Sequence, residues 1–277
     1  MSGVTRDAIG ADLSWVAPAA FRAHLVVDTA ELMAIAGSEP WRVRVTGRGE
    51  AAFVGRWREH GNDLAVLGLW CAPARVPVLV ADLIEVARHR GFDRLLGPLI
   101  PETHAGPYLG AGLRVIERVD VFRLEKPGRV ALTPPHAGVS LRQAVAADLD
   151  AIVRIDRAAF DDFWRYDPAQ LEALLRTGRG AVAEEEGAAI GYTLATVSGG
   201  EGSLGRLAVV ARGRRRGVGA ALASEAIVWL AGQGVRAVTL STQSDNAASR
   251  RLYVRLGFRR LPDTLVACAS GSLSVVR

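Results

Sequence analysis

Two stretches of the sequence combine residue types that could hold an anion and move a proton. The first, Leu207-Ala-Val-Val-Ala-Arg-Gly-Arg-Arg-Arg-Gly-Val-Gly-Ala-Ala-Leu222, reads as a strand that runs through a basic glycine turn into a helix. Gly217 and Gly219 let the backbone approach a ligand closely, and the following helix offers unpaired N–H groups and the positive end of its dipole. Arg212, Arg214, Arg215 and Arg216 surround this cradle with guanidinium groups, whose geometry suits phosphate. A solvated basic turn or a nucleic-acid patch would need neither the glycines nor the strand before them. The second stretch is Thr242-Gln-Ser-Asp-Asn-Ala-Ala-Ser-Arg-Arg-Leu-Tyr-Val-Arg-Leu-Gly-Phe258. Asn246 stands at a strand end, where its amide can bond a ligand or cap a helix, and Tyr253 follows two helical turns later on the same face. Both can point into one cleft.

These residues need a strand, a turn and two helices to position them, and the second half of the chain supplies that order. Asp148 is a plausible cap for a helix carrying Leu149, Ile152, Val153 and Phe160. Asp167, Pro168 and Gln170 have the spacing of a capping box ahead of Leu171, Leu174 and Leu175. Ala181–Glu184 and Ala188–Val197 read as a hairpin, Ser203–Val210 as a third strand and Val218–Ala231 as a helix. Ala237–Thr242 is a further strand, a last helix stops at Gly257, and Leu265–Val276 holds one or two strands. The expected fold is α/β, a mixed sheet flanked by helices.

The first half repeats the order: a hairpin at Trp41–Thr46 and Ala51–Arg58, a strand at Leu64–Trp70, a helix at Val78–Arg90 and a strand at Arg94–Ile100. Gly91 aligns with Gly234 and Leu79 with Leu222, and after a short slip Tyr108 and Gly112 align with Tyr253 and Gly257. Two similar folds in tandem are expected, residues 1–130 and 139–277, joined by a Pro/Gly-rich linker at 131–138.

Composition narrows the chemistry. The 277 residues are 49% hydrophobic and 23% charged, the balance of a folded chain, with a net charge of +5 that favours an anionic partner. Lys126 is the sole lysine and precedes proline, which excludes a Walker phosphate loop. Gly200-Glu-Gly-Ser-Leu-Gly205 has the spacing of a dinucleotide fingerprint but enters a strand instead of a helix, so it reads as a loop. Cys71, Cys268 and the five histidines lack metal-ligand spacing, and no metal is expected. No signal peptide or membrane span is legible, and a cytoplasmic protein is expected.

With both motifs in view, the sequence resembles the GNAT superfamily of acetyl-CoA-dependent N-acyltransferases. Arg214-x-x-Gly217-x-Gly219-Ala220 is similar to its pyrophosphate-binding signature, and Asn246 through Tyr253 to Gly257-Phe258 is similar to its second motif. The resemblance implies that acetyl-CoA is the co-substrate. It lays the main chain of Leu207, Ala208 and Val209 along the pantetheine arm and gives the pyrophosphate to Arg214, Arg215, Arg216, Gly217, Val218, Gly219 and Ala220. By the same inference Asn246 contacts CoA and Tyr253 protonates the departing thiolate. An acid on the central strand to relay the amine proton is not evident, and no base is assigned. Phe160-Asp-Asp-Phe-Trp-Arg-Tyr-Asp167 falls where the family lines its acceptor site, which nominates Asp161, Phe163, Trp164 and Tyr166. Aromatics interleaved with carboxylates would suit a cationic amine; a plug between helices is the alternative.

In the first half the corresponding turn, Cys71-Ala-Pro-Ala-Arg-Val-Pro-Val78, lacks both glycines, and Pro77 removes an amide. The expected protein is a tandem N-acetyltransferase, active in its second half, acting on a small-molecule or peptide amine with neither nucleic acid nor membrane as partner; homodimerisation is left open. The rival reading is a non-catalytic acyl-CoA-binding sensor or scaffold.

Overall fold

A computed structural model of the chain describes residues 4–22 and 28–273. The chain packs as two units, Met1–Arg118 with Leu265–Arg277, and Val119–Thr264. The first unit runs β1 (Arg6–Asp7), α1 (Leu13–Arg22), α2 (Thr29–Ser38), β2 (Val43–Val45), β3 (Ala51–Arg56), β4 (Asp63–Trp70), α3 (Val76–His89), β5 (Arg94–Leu96), β6 (Ile100–Pro101) and α4 (Gly106–Gly110). Strand β7 (Arg114–Leu124) carries the chain into the second unit. There follow β8 (Val139–Gln143), α5 (Leu149–Ala159), α6 (Pro168–Thr177), β9 (Arg179–Glu185), β10 (Ala188–Ser198), β11 (Glu201–Val209), α7 (Val218–Gly232), β12 (Val238–Gln243), α8 (Ala247–Arg255) and β13 (Arg259–Ala269).

Both units use one sheet plan. In the second, β8, β9, β10 and β11 pair antiparallel in that order, β12 joins β11 in parallel, and Val119–Leu124 of β7 lies antiparallel beyond β12. In the first, β1 to β4 pair antiparallel, β5 joins β4 in parallel, and Ala269 at the end of β13 pairs with Leu96 of β5. Each sheet is therefore completed by the last strand of the other repeat. Packing accordingly divides the chain at Val119 and Leu265 and not at 131–138, a stretch that lies within the second unit, where Thr133 N donates to buried Ser224 Oγ at 2.9 Å. Among the described residues the carboxyl end holds one strand, β13, which begins at Arg259 ahead of the expected Leu265.

Local signals mostly act as read. Pro168 opens α6, and Gln170 Oε1 accepts from Asp167 N at 3.1 Å. Asp148 differs: its side chain does not cap α5 but accepts from Val145 N and pairs with Arg142, one turn earlier. In the second unit α5 and α6 cover one core, with Ile152, Leu171, Tyr192, Leu194 and Ala208. Helix α7 covers another, with Phe122, Leu204, Ile227, Leu230 and Leu240. Of the Gly200–Gly205 stretch read as a loop, only Gly200 lies in the β10–β11 turn, with φ of 77° beside Gly199 at 57°, and Glu201–Gly205 instead opens strand β11.

Candidate functional site

The site begins where a ladder stops. β11 pairs with β12 only at Gly202 and Ser203, so the main chain from Leu204 to Val209 has no strand partner on that side. On its other side, Val210 N donates to Ile190 O, and strand alternation turns the Val209 N–H away from β10 and into the opening. A cleft of about 1670 Å³ occupies this space. Its walls are Leu207, Ala208 and Val209 of β11, the turn before α7, and α8 from Asn246 to Leu256 without Tyr253.

The turn leaves amides that could hold an anion. Gly217 has a φ of 74°, which favours glycine, and Arg215 shares that left-handed region at 61°. Gly217 caps α7 without a side-chain bond, and the first helical hydrogen bond runs from Ala221 N to Gly217 O, so the amides between them are unused by the helix. A Cβ on Gly219 would meet only Leu252 at 3.5 Å and Val209 at 3.9 Å, ordinary contacts. The protein's own packing does not demand glycine there; close approach of a ligand would.

Charge in the cleft has one sign. Arg214, Arg215, Arg250, Arg251, Arg255 and Arg260 line it, and none of the lining residues is acidic. Arg260 and Arg250 pair with buried Asp120 on β7, at 2.9 and 3.6 Å. Burial alone would raise the Asp120 pKa, but the hydrogen bonds from Arg260 and Ser244 and the nearby charges hold it below the usual carboxylate range. Arg214 Nε donates to Val209 O at 3.1 Å, whereas Arg215, Arg251 and Arg255 have no ion pair among the described residues. The set suits a polyanion.

Of the residues nominated from sequence for the cofactor, Leu207, Ala208, Val209, Arg214, Arg215, Gly217, Gly219, Ala220 and Asn246 line the cleft. Arg216 and Val218 do not: Arg216 is held by Glu185 at 2.6 Å, and Val218 is buried in the core beneath α7. Asn246 caps α8, its Oδ1 accepting from Ser249 N at 3.1 Å. Tyr253 is buried, its ring tilted against Phe122 and Phe258 with centroids 6.0 and 5.9 Å away. Burial pushes its pKa up to about 12, against a smaller lowering by the neighbouring Ser249 side chain, and Ser249 does line the cleft.

The loop nominated for the acceptor is tied down from inside. None of Asp161, Phe163, Trp164 and Tyr166 lines the cleft, although Ala159 and Phe160 just before them do. Asp161 Oδ1 accepts from Trp164 N at 3.0 Å, and the Phe163 and Trp164 rings meet edge-on at 4.9 Å. Tyr166 and Phe160 lie against Arg206 of β11, which pairs with buried Asp156 of α5 at 2.7 Å. The ring faces expected to greet a cationic acceptor are therefore engaged with the chain's own guanidinium. Sequence reasoning gave Arg206 and Asp156 no role; the available signal was one arginine amid Leu204, Leu207, Ala208 and Val209. Its placement depends on a bulge: Leu194 pairs with Arg206 but Ala195 with Leu204, leaving Gly205 over, so Arg206 faces α5 while Leu204 faces α7.

The first unit's equivalent turn is built differently. Pro73 and Pro77 precede and open α3, and Arg75 donates to the buried Glu50 carboxylate at 2.9 and 3.2 Å. Among the described residues no cluster of His, Cys, Asp and Glu could hold a metal, and no helix is long and apolar enough to cross a membrane.

With the geometry established, comparison with known proteins is informative. The profile of the Acetyltransferase (GNAT) family matches residues 149–258. A mycothiol acetyltransferase from Actinosynnema mirum is 32% identical over 220 residues, covering 72% of this chain and 72% of that protein. One from Amycolatopsis mediterranei is 33% identical over 141 residues, covering 44% of this chain and only 47% of that protein. Among solved structures, a GCN5-related N-acetyltransferase from Sphaerobacter thermophilus superposes with a TM-score of 0.67 at 20% identity, over 98% of this chain and 96% of that one. A tandem GNAT protein from the clavulanic acid biosynthesis pathway gives 0.64 at 19%, over 85% and 83%. These likenesses support the two-unit fold.

Proposed function

The chain belongs to the GNAT acetyltransferase family, and from that premise we propose that its second unit moves an acetyl group from acetyl-CoA to a primary amine by direct attack in a ternary complex. The observation that carries this reading is the unladdered edge of β11 meeting a basic turn and an open helix N-terminus along one acid-free cleft. In it, Leu207 to Val209 take the pantetheine arm along their free main chain, and the Arg214–Ala220 turn takes the pyrophosphate on its amides and on Arg214 and Arg215. Acetyl-CoA supplies the thioester. The amine nitrogen bonds to the acyl carbon, the Val209 N–H receives the oxyanion, and the C–S bond breaks as the sulfur takes a proton from Tyr253. Burial keeps this hydroxyl protonated, and it sits one helical turn from cleft-lining Ser249. The amine's own proton leaves to solvent, and the Tyr253 phenolate regains its proton from solvent before the next turnover.

The first unit is proposed to bind no CoA, because Glu50 supplies an internal carboxylate to Arg75 and prolines replace amide donors at the turn. Calorimetric titration with acetyl-CoA is expected to give one site per chain. A second site would overturn this view of the first unit, and no binding would overturn the acyl-transfer reading. The acceptor test is a panel of polyamines, aminoglycosides, amino acids and peptide amino termini, headed by the substrate of the mycothiol acetyltransferases. A chain that binds acetyl-CoA but acetylates nothing would be the sensor instead.

A further inference from the structure

The first unit carries a cationic pocket that the acyl-transfer reading leaves unused. It begins at the end of α3, where Gly91, with a φ of 73°, lets Phe92 N donate back to Ala87 O at 3.0 Å. That reversal buries the Phe92 ring 5.9 Å from the ring of Trp41, which the turn ahead of β2 supplies. Arg56, at the end of β3, and Arg90, just past α3, cover one ring each. The Arg56 guanidinium carbon lies 5.2 Å from the Phe92 centroid, and that of Arg90 lies 4.6 Å from the Trp41 centroid. These four residues and His89 line a pocket of about 440 Å³. It lies at the far end of α3 from Pro77, about 20 Å away at about 1.5 Å per residue, so it is no counterpart of the cleft beside α7.

The charge of this pocket is uncompensated. Arg42, Arg44, Arg75, Arg88, Arg94 and Arg118 of the same unit each pair with a carboxylate. Arg56 and Arg90 make no ion pair among the described residues, and no residue lining the pocket is acidic. Basic residues in a last helical turn meet the negative end of the dipole, which accounts for Arg88 and His89 but not for Arg56, delivered by a strand. Arg56 is also held in place: its Nη1 donates to Asn62 Oδ1 at 3.2 Å and to Gly61 O at 3.4 Å, and Asn62 Nδ2 donates to Gly91 O at 2.8 Å. Its Nε and Nη2, and every nitrogen of the Arg90 guanidinium, make no hydrogen bond among the described residues. His89 Nδ1 donates to the Glu85 carbonyl at 2.7 Å, which leaves Nε2 as a further polar group at the rim.

We propose that this pocket binds a small organic phosphate, the free guanidinium edges of Arg56 and Arg90 taking the phosphoryl oxygens and Trp41 and Phe92 taking the organic part. Two restrained guanidinium groups match the charge and the oxygen geometry of a phosphate monoester. The volume is in the range of small-molecule sites, with room beyond a bare phosphate, and the rings offer that remainder an apolar contact. Every group involved belongs to the first unit, so the proposal stands apart from acyl transfer in the second.

The test is calorimetric titration of the full chain with phenyl phosphate, inorganic phosphate and phenol, with CoA at saturation so that the basic turn before α7 is occupied. A parallel series uses Arg214→Gln/Arg215→Gln without CoA, which keeps the result independent of CoA binding. Phenyl phosphate is expected to fill one site in both series, at least about tenfold more tightly than inorganic phosphate or phenol. Adding Arg56→Gln/Arg90→Gln is expected to weaken it at least about tenfold, the scale of losing charge-assisted hydrogen bonds. Both side chains are exposed, so the melting temperature and the CoA affinity are expected to hold. Absence of phenyl phosphate binding in both series overturns the proposal, as does an affinity unchanged by Arg56→Gln/Arg90→Gln. Phenol binding as tightly as phenyl phosphate overturns the anion recognition, and inorganic phosphate binding as tightly overturns the part given to Trp41 and Phe92. Failure of CoA to bind counts against acyl transfer alone, and the second series then decides the proposal.

Discussion

Tyr253 shows how far a residue's sequence position and its chemical availability can differ. Helical spacing puts it on the face of Asn246, yet its ring lies among Phe122 and Phe258, and the cleft-lining residue of its own helix that perturbs it is Ser249. Tyr253→Phe is expected to lower kcat by about 10²-fold or more, the usual scale of a lost general acid, with calorimetric acetyl-CoA affinity retained. Burial also makes this phenol a stability probe. Its pKa is raised from 10.0 to about 12 in the fold, so the folded chain binds the proton more tightly and unfolding free energy is unaffected below pH 10. Above pH 10 stability is lost, by about 1.4 kcal/mol per unit until the folded value is passed. Urea melts from pH 8 to 11 are expected to show this decline in the wild type and less of it in Tyr253→Phe.

At the scale of elements, the strand–turn–helix of the second unit is legible because its signals are local. Glycine marks a positive φ at Gly217, and Pro168 with Gln170 marks the start of α6. Gly219→Ala isolates the ligand's demand from the protein's: the added methyl meets nothing closer than 3.5 Å, so the melting temperature is expected to hold, while acetyl-CoA affinity drops at least about tenfold by calorimetry because the backbone can no longer be approached. Arg216→Ala is expected to leave that affinity within about twofold, since its guanidinium is spent on Glu185 and the residue does not line the cleft. Identical residue types in Arg214-Arg215-Arg216 thus have different duties, and the linear sequence cannot separate them. The Arg206–Asp156 pair was equally hidden. A bulge adds one residue to β11, and strict alternation would have left Arg206 on the face of Leu204.

At the scale of the whole molecule, the completion of each unit's sheet by a strand from the other sequence half governs what can be cut. Val266 and Cys268 of β13 are fully buried in the first unit's core, and Phe122 of β7 in the second's. Truncation after Thr264 is expected to abolish the first unit's cooperative melting transition while it adds an exposed edge at β5. A fragment of residues 139–277 is expected to fail likewise by circular dichroism, because it lacks the β7 strand that flanks β12. Residue order alone determined the repeated mixed α/β plan, the basic glycine turn before α7 and the absence of those glycines from the first half's turn, since periodicity, caps and glycine placement act over a few neighbours. Which repeat owns each terminal strand, which arginines face the cleft, and how Arg206 is buried were decided only in the tertiary structure. Those outcomes depend on pairings between residues far apart in the chain, such as Phe122 with Leu240 or Asp156 with Arg206, and no local pattern encodes the partner.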